Sequence, residues 1–436
     1  MNMGRGYICI RCGARYSDKL SIDSRGCPAC YEDAPANLRV MQGKAPGKQA
    51  SSISTGAELP SLWRYANRLP CPEDHAVSLG EGLTPLIRAP GIGNRLGLAY
   101  LYVKDEGRNP TWSHKDRFST VAVSVAKGQG ARIMATASSG NAGASLAAYA
   151  ARAGLTCLVA TFAGATGPML AQIRKAGGII VPFTNKADRW AFIAEGVDEQ
   201  GWFATSPFRA PVVGSHPAGV EGYKTLAYEI VEQLGDEVPD WCVLPVCYGD
   251  ALAGLWWGFQ DLYAEGKISH LPRLVAAEVH GSLSKALAGG DDLVSDMRAN
   301  GETLAVSIGA TRSTFQALQA LRQSEGRAVT IGNANLIAWQ EELASREGIF
   351  TELTSVAPLA AIEVLRNENI IKHDDRVVVI ATASGLKDVE RSSPEETPHG
   401  SFASVAKAWE YLSGSGWQER RFAGPVNPAC NQLSGV

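Results

Sequence analysis

The sequence predicts an α/β fold: two lobes on mostly parallel sheets, with a small metal-stapled module at the N-terminus. Three observations predict it. Short apolar runs alternate with helical stretches between Ala131 and Ala383, the rhythm of parallel strands joined through helices. The chain has 436 residues, more than one hydrophobic core usually organises. Two C-x-x-C pairs fall within the first thirty residues, which is metal-ligand spacing.

Residues 1–40 form the first unit. In it CIRC (Cys9, Cys12) and CPAC (Cys27, Cys30) each sit beside Gly or Pro, as tight knuckles do. Four thiolates suit tetrahedral Zn²⁺ and leave no open coordination position, so a structural zinc ribbon is expected rather than a catalytic metal. Its flanks are not strongly basic, which argues against a nucleic-acid module. Residues 41–60 follow, rich in Gly, Ser, Ala and Lys, and read as a linker. Residues 391–436 read as a C-terminal extension.

The elements between follow from local pattern. ARIMATA (131–137) is a short buried strand, and the Ala-rich NAGASLAAYAARAG (141–154) a helix closed by glycine. LTCLVATF (155–162) is a strand, GPMLAQIRKAG a helix and GIIVPF a strand. EGYKTLAYEIVEQLG (221–235) has helical periodicity. WCVLPVC (241–247) and LVAAEVH (274–280) are apolar strands on either side of the helix ALAGLWWGFQDLYAEG. APLAAIEVLRN is helical, and RVVVIATA (376–383), rich in β-branched residues, is the last strand.

Hydrophobic residues make up 45% and charged residues 19%, enough apolar material for a large core. A net charge of -3 and a pI near 6.2 argue against a nucleic-acid or anionic-membrane surface. No apolar run has the length of a membrane span, and the opening MNMGRGYICIRCG lacks a signal-peptide core. A cytoplasmic protein is therefore expected. Nine cysteines, an odd number, do not suggest a disulfide framework. Cys71, Cys157, Cys242, Cys247 and Cys430 read as packing residues.

Ligands of such folds bind beyond the carboxyl ends of strands, and four loops there carry polar groups. TASSGNAG (136–143) aims Ser138, Ser139, Gly140, Asn141 and their N–H groups at one spot. That arrangement can hold an anion or can be an ordinary helix cap. CYGDALAG (247–254) joins another strand to a helix, with Gly249 permitting close approach. Asp250 there must point away or pair with a cation if an anion binds. ATASGLKD (381–388) ends the last strand with Thr382 and Ser384. NPTWSHKDR (109–117) places Lys115 just past a turn, either as one charge of a solvated helix start or as a nucleophile. A lysine, a phosphate cradle and a partner for a ring nitrogen are what pyridoxal 5'-phosphate requires.

In this order, the segments GEGLTPL (80–86), NPTWSHKDR, TASSGNAGAS, EGYKTLAYEI (221–230) and ATASGLKD resemble the pyridoxal-phosphate enzymes of fold type II, the tryptophan-synthase-β type. The threonine synthases among them are the most alike. The resemblance implies a two-lobed catalytic region over 61–390, with a smaller lobe inserted at roughly 100–215. It implies an enzyme of β- or γ-elimination or replacement acting on a small amino-acid substrate, and a homodimer.

Residue by residue, the resemblance makes Lys115 the Schiff-base lysine that shuttles the α-carbon proton. Asn141 faces the ring 3-hydroxyl, and Thr382 the ring nitrogen. Thr84, Ser138, Ser139, Gly140 and Asn141 hold the substrate. Cys247, Tyr248, Gly249, Asp250, Ala251 and Leu252 wrap the phosphate, with His114 beside it. Two departures stand out. The family's phosphate loop is rich in Gly and Asn, whereas CYGDAL matches clearly only at Gly249. Enzymes that use phosphohomoserine carry an arginine where an ungapped reading puts Gly219. β-Replacement synthases of the cysteate or cysteine type, ammonia-lyases of the threonine-dehydratase type and a non-catalytic binding protein are the alternatives.

Overall fold

The structure is a computed structural model that describes residues 6–18, 20, 22–30, 34–41, 60–185, 187–299, 301–392 and 401–414. The expected linker, apart from residues 41 and 60, lies outside them. So does most of the expected C-terminal extension, including Cys430.

Three strands form the N-terminal module: β1 (Gly6–Cys9), β2 (Arg15–Ser17) and β3 (Leu38–Met41), antiparallel in the order β2-β1-β3. The chain then starts the large sheet with β4 (Leu86–Arg88) and β5 (Tyr100–Asp105). It leaves to build β6 (Ile133–Thr136), β7 (Thr156–Phe162), β8 (Ile179–Phe183) and β9 (Phe203–Ala204). It returns with β10 (Trp241–Pro245), β11 (Arg273–Glu278), β12 (Arg327–Thr330) and β13 (Arg376–Ala381). The large sheet runs β12-β11-β10-β13-β5-β4 and is parallel except for β4; the small sheet, β8-β7-β6-β9, is wholly parallel.

The large sheet is buried on both faces, as parallel sheets are. Side chains alternate across a strand, so Cys242 and Leu244 of β10 enter one cluster with Val378 and Ile380 of β13. Trp241 and Val243 enter the opposite cluster with Val377 and Val379. The run RVVVIA of β13 is buried beyond its first residue, because helices cover both sides. Strands β10, β13 and β5 are neighbours, so three carboxyl ends open on one edge of the sheet.

The apolar pattern predicts strands only from Ala131 onward, yet β4 and β5 precede it. β5 (YLYVKD) carries Lys104 and Asp105, which interrupt the apolar signal. Lys104 is nevertheless fully buried, and its ammonium donates to Glu229 at 2.7 Å. The helix expected from Ala357 starts at Leu353 and runs to Asn367 with Pro358 inside it. Residues 353–357 are all buried there, and burial overrides the local cost of proline.

Candidate active site

The turn NPTWSHKDR leads from β5 into the helix Lys115–Gly128, and Lys115 is its first residue. The end of β13 holds this turn in place. Ser113 pairs antiparallel with Ala383, and the His114 N–H donates to the Thr382 carbonyl at 2.8 Å. Lys115 is half-buried, and its ammonium lies 6.0 Å from the centre of the Tyr223 ring. Trp112 stands in the left-handed region at φ 64° and is 43% exposed.

His114 is buried, with Nδ1 3.1 Å from the Thr382 carbonyl. A carbonyl only accepts, so Nδ1 carries the proton and donates. Burial, helped by the neighbouring Lys115 charge, holds the imidazole well below its usual range. It is therefore neutral, and Nε2 has no proton to give an anion. The ring instead packs on Tyr223, 5.4 Å between centres.

The two ions after the lysine hold its turn. Asp116 accepts from the Thr111 N–H at 2.7 Å, the Thr111 hydroxyl at 2.5 Å and Ser145 at 2.6 Å. Arg117 is wholly buried between the carboxylates of Glu106 and Glu229 at 2.7 and 2.6 Å. Thr84 lies in this ion cluster, donating to Glu106 at 2.6 Å and accepting from Arg117 at 3.2 Å.

After β6, Ser138, Ser139 and Gly140 are half-buried and lead into the helix Asn141–Ala153. Ser138 accepts the Gly140 N–H at 3.3 Å. The close approach of Gly143 to the Ser138 carbonyl, where a Cβ would come within 2.0 Å, keeps this turn tight. Asn141 is buried, and its amide nitrogen donates to Glu352 at 3.1 Å. Its Oδ1 is buried without a partner. An unpaired buried acceptor costs about 1–3 kcal/mol, so it marks a place where a donor fits.

Glu352 caps the helix Leu353–Asn367 and donates its own N–H to Ala383 at 3.1 Å. Burial raises its carboxyl, while the Asn141 bond opposes that. Lys387 is buried too, donating to the Thr111 carbonyl at 2.6 Å. Burial pulls its ammonium down to about 8, against the charges of Asp116 and Glu352. At the end of β13 the Thr382 hydroxyl is 2.9 Å from that of Ser355.

After β10, Gly249 takes φ 76° and opens the helix Asp250–Ala264. A Cβ there would meet Ala317 at 2.3 Å. The carbonyls of Cys247 and Tyr248 accept from the hydroxyls of Ser313 and Thr314, both at 2.6 Å. The first N–H groups of the helix, from Asp250 to Leu252, have no carbonyl one turn back within it. Asp250 is turned aside onto Ser215 and Gln316. Burial pushes the Cys247 thiol up to about 11, against the pull of Lys115. That thiol is therefore protonated and unreactive at neutral pH.

In the N-terminal module, Cys9, Cys12, Cys27 and Cys30 place their sulfurs within 4.8 Å of one another. The Cys9–Cys30 and Cys12–Cys27 pairs are 3.7 and 3.8 Å apart. A tetrahedron with ~2.3 Å metal–sulfur bonds has edges of about 3.8 Å.

The structure thus brings together Lys115, His114, Asn141, Thr382 and the loop starting at Cys247. Thr84 has its hydroxyl engaged elsewhere. Glu352, Ser355 and Gln316 complete the site from outside every quoted motif, and Tyr223 and Lys387 join it from within EGYKTLAYEI and ATASGLKD; Glu352 lies ahead of the helix expected from Ala357, so no local pattern marks it.

Residues 77–383 match the family described as pyridoxal-phosphate dependent enzyme, and the chain belongs to that family. Its curated relatives include the threonine synthase of Methanocaldococcus jannaschii, 32% identical over 87% of this chain and 92% of that protein. The threonine synthase of Mycobacterium tuberculosis is 35% identical over 74% of this chain and 87% of its own length. A fungal L-serine ammonia-lyase from Rhizomucor miehei shares the fold at a TM-score of 0.62, 17% identical, over 73% of this chain and 98% of that one. The processed threonine deaminase isoform 2 of Solanum lycopersicum does so at 0.57, 18% identical, over 77% and 83%.

Proposed function

We propose that this threonine synthase-like enzyme eliminates or replaces a leaving group at the β- or γ-carbon of an α-amino acid, with Lys115 carrying the cofactor. One observation carries the reading. Four loops from two sheets converge on a lysine, and among them Asn141 presents a buried carbonyl oxygen with no partner. Bound pyridoxal phosphate supplies a ring that takes up the electron pair released at the substrate α-carbon.

The chain's own groups supply the rest. Lys115 takes the α-proton and returns one further along the substrate. Asn141 Oδ1 accepts from the 3-hydroxyl, and Glu352 keeps its amide oriented. The Thr382 hydroxyl, held by Ser355, meets the ring nitrogen. Ser138, Ser139 and Gly140 receive the substrate carboxylate; Thr84 is already bonded to Glu106 and Arg117. The helix start at Asp250 to Leu252 offers N–H groups to the phosphate. His114, neutral and tied to Thr382, positions the lysine turn.

The four thiolates of the N-terminal module hold a structural Zn²⁺ in this reading. No helix among the described residues is long and apolar enough to cross a membrane. A homodimer and a cytoplasmic location belong to the same proposal, and analytical ultracentrifugation tests the first.

The substrate is an amino acid whose leaving group needs no fixed guanidinium at position 219. A Cβ at Gly219 would lie 2.4 Å from the buried Phe118 ring, so a side chain there would have to displace that ring. Purified protein is expected to show a visible cofactor band that shifts with particular amino acids. Phosphate release from phosphohomoserine marks threonine synthesis; ammonia release or uptake of a nucleophile marks the other chemistries. Absence of the band in cofactor-supplied protein sinks the proposal.

A further inference from the structure

Asp250 puts a negative charge at the helix start assigned above to the cofactor phosphate. Its oxygens are held away by neutral donors. Oδ1 accepts the Ser215 N–H at 3.0 Å and Gln316 Nε2 at 2.6 Å; Oδ2 accepts the Ser215 hydroxyl at 2.7 Å. Gln316 Nε2 also donates to the Tyr248 carbonyl at 3.2 Å. One glutamine amide thus grips both the carboxylate and the loop backbone.

The orientation of Gln316 comes from outside the catalytic sheets. Its Oε1 accepts Asn37 Nδ2 at 3.1 Å, and the same Asn37 nitrogen donates to the Ser215 carbonyl at 3.0 Å. An amide nitrogen has two hydrogens, so both are committed. Asn37 belongs to the four-cysteine module. Its carbonyl accepts from Ile10, and that of the adjacent Ala36 accepts from Cys27 at 2.9 Å. Asn37, Gln316 and Asp250 are 0%, 1% and 8% exposed. Gly214 seals the group, since a Cβ would come within 2.4 Å of Gln316 Nε2 and 2.6 Å of Asn37 Nδ2. Water has little access to this relay, and bonds to a charged acceptor are the stronger kind.

We propose that the N-terminal module is a working part of the cofactor site. Asn37 sets Gln316, Gln316 and Ser215 hold Asp250 and Tyr248, and the metal bound by the four cysteines thereby raises affinity for the cofactor's phosphate. This rests on the reading of residues 247–252 as the phosphate loop. The coupling is reciprocal: bound cofactor tightens the metal by the same factor.

The test compares dissociation constants of pyridoxal phosphate and pyridoxal, which lacks the phosphate, on the full-length, metal-loaded protein. Asn37→Ala and the isosteric Gln316→Glu, which cannot donate to Asp250, are the relay variants, so one remains if the other fails to fold. Gln319→Ala is the control; Gln319 donates to the module's Ile10 carbonyl at 2.7 Å without touching the loop. The relay variants are expected to weaken pyridoxal phosphate by about tenfold or more and pyridoxal by less than about twofold, with the control unchanged. Removing the metal by chelation, followed through metal release, should weaken pyridoxal phosphate in the same selective way. Unchanged affinity in the relay variants, equal loss of both ligands, or indifference to chelation overturns the proposal. A wild-type protein that binds pyridoxal phosphate no tighter than pyridoxal instead overturns the phosphate-loop reading itself.

Discussion

The carboxylate of Asp116 accepts the Ser145 hydroxyl at 2.6 Å, and so ties the turn of Lys115 to the helix that begins at Asn141. Burial raises this carboxyl to about 6. A raised carboxyl contributes stability below its unfolded value near ~4, and that stability is lost as pH rises through the folded value. Wild-type minus Asp116→Asn unfolding free energy is therefore expected to fall between about pH 4 and 7, on the order of 3 kcal/mol. Denaturant titrations at several pH values measure it; a flat difference means that another group titrates.

Lys115→Ala should remove the visible cofactor band and all turnover, yet leave the fold intact. The lysine is half-buried and takes part in no ion pair among the described residues, so its loss unpairs nothing. Absorbance and circular dichroism separate the two effects. A variant that keeps the band moves the role to another group.

Asn141 and Glu352 should behave as a pair. Glu352→Ala leaves the Asn141 amide unpaired and is expected to weaken cofactor binding by about 1–3 kcal/mol. Glu352→Gln can still accept from it and should cost less than about 1 kcal/mol. Cofactor titration of both variants decides, and equal losses would show that the charge matters more than the hydrogen bond.

Trp112 occupies a backbone region that costs a non-glycine residue about 1–2 kcal/mol. Trp112→Gly should raise unfolding stability by roughly 1 kcal/mol, read as a shift in urea midpoint. A lower midpoint would show that indole packing outweighs the strain.

Gly219→Ala is expected to destabilise by about 1–3 kcal/mol, since its Cβ must displace a packed aromatic ring. Thermal unfolding checks this. A neutral result would mean that the Phe118 ring can move, and that position 219 could carry a longer side chain.

Contiguous pattern made much of this protein legible. RVVVIATA, WCVLPVC and LVAAEVH are apolar runs that need two covered faces, so the α/β class with parallel sheets followed from local composition alone. Lys115 could be singled out because its turn and flanking ions lie within nine residues of chain. The two C-x-x-C pairs were equally plain, since the spacing of metal ligands is a local matter.

Other features depend on separations that local pattern does not encode. Asn141 meets Glu352 across 211 positions, and Asn37 meets Gln316 across 279. In the sequence Asp250 looks like an obstacle to an anion; in the fold, Ser215 and Gln316 turn it aside. Thr84 looks available until Arg117 and Glu106 close around it. By itself the sequence determined which segments could form strands, helices and a thiolate site, because periodicity and ligand spacing act over a few residues. Only the tertiary structure decided which polar atoms are already satisfied and which, like Asn141 Oδ1, stay open for a ligand, because hydrogen-bond partners are assigned when distant loops pack and exclude water.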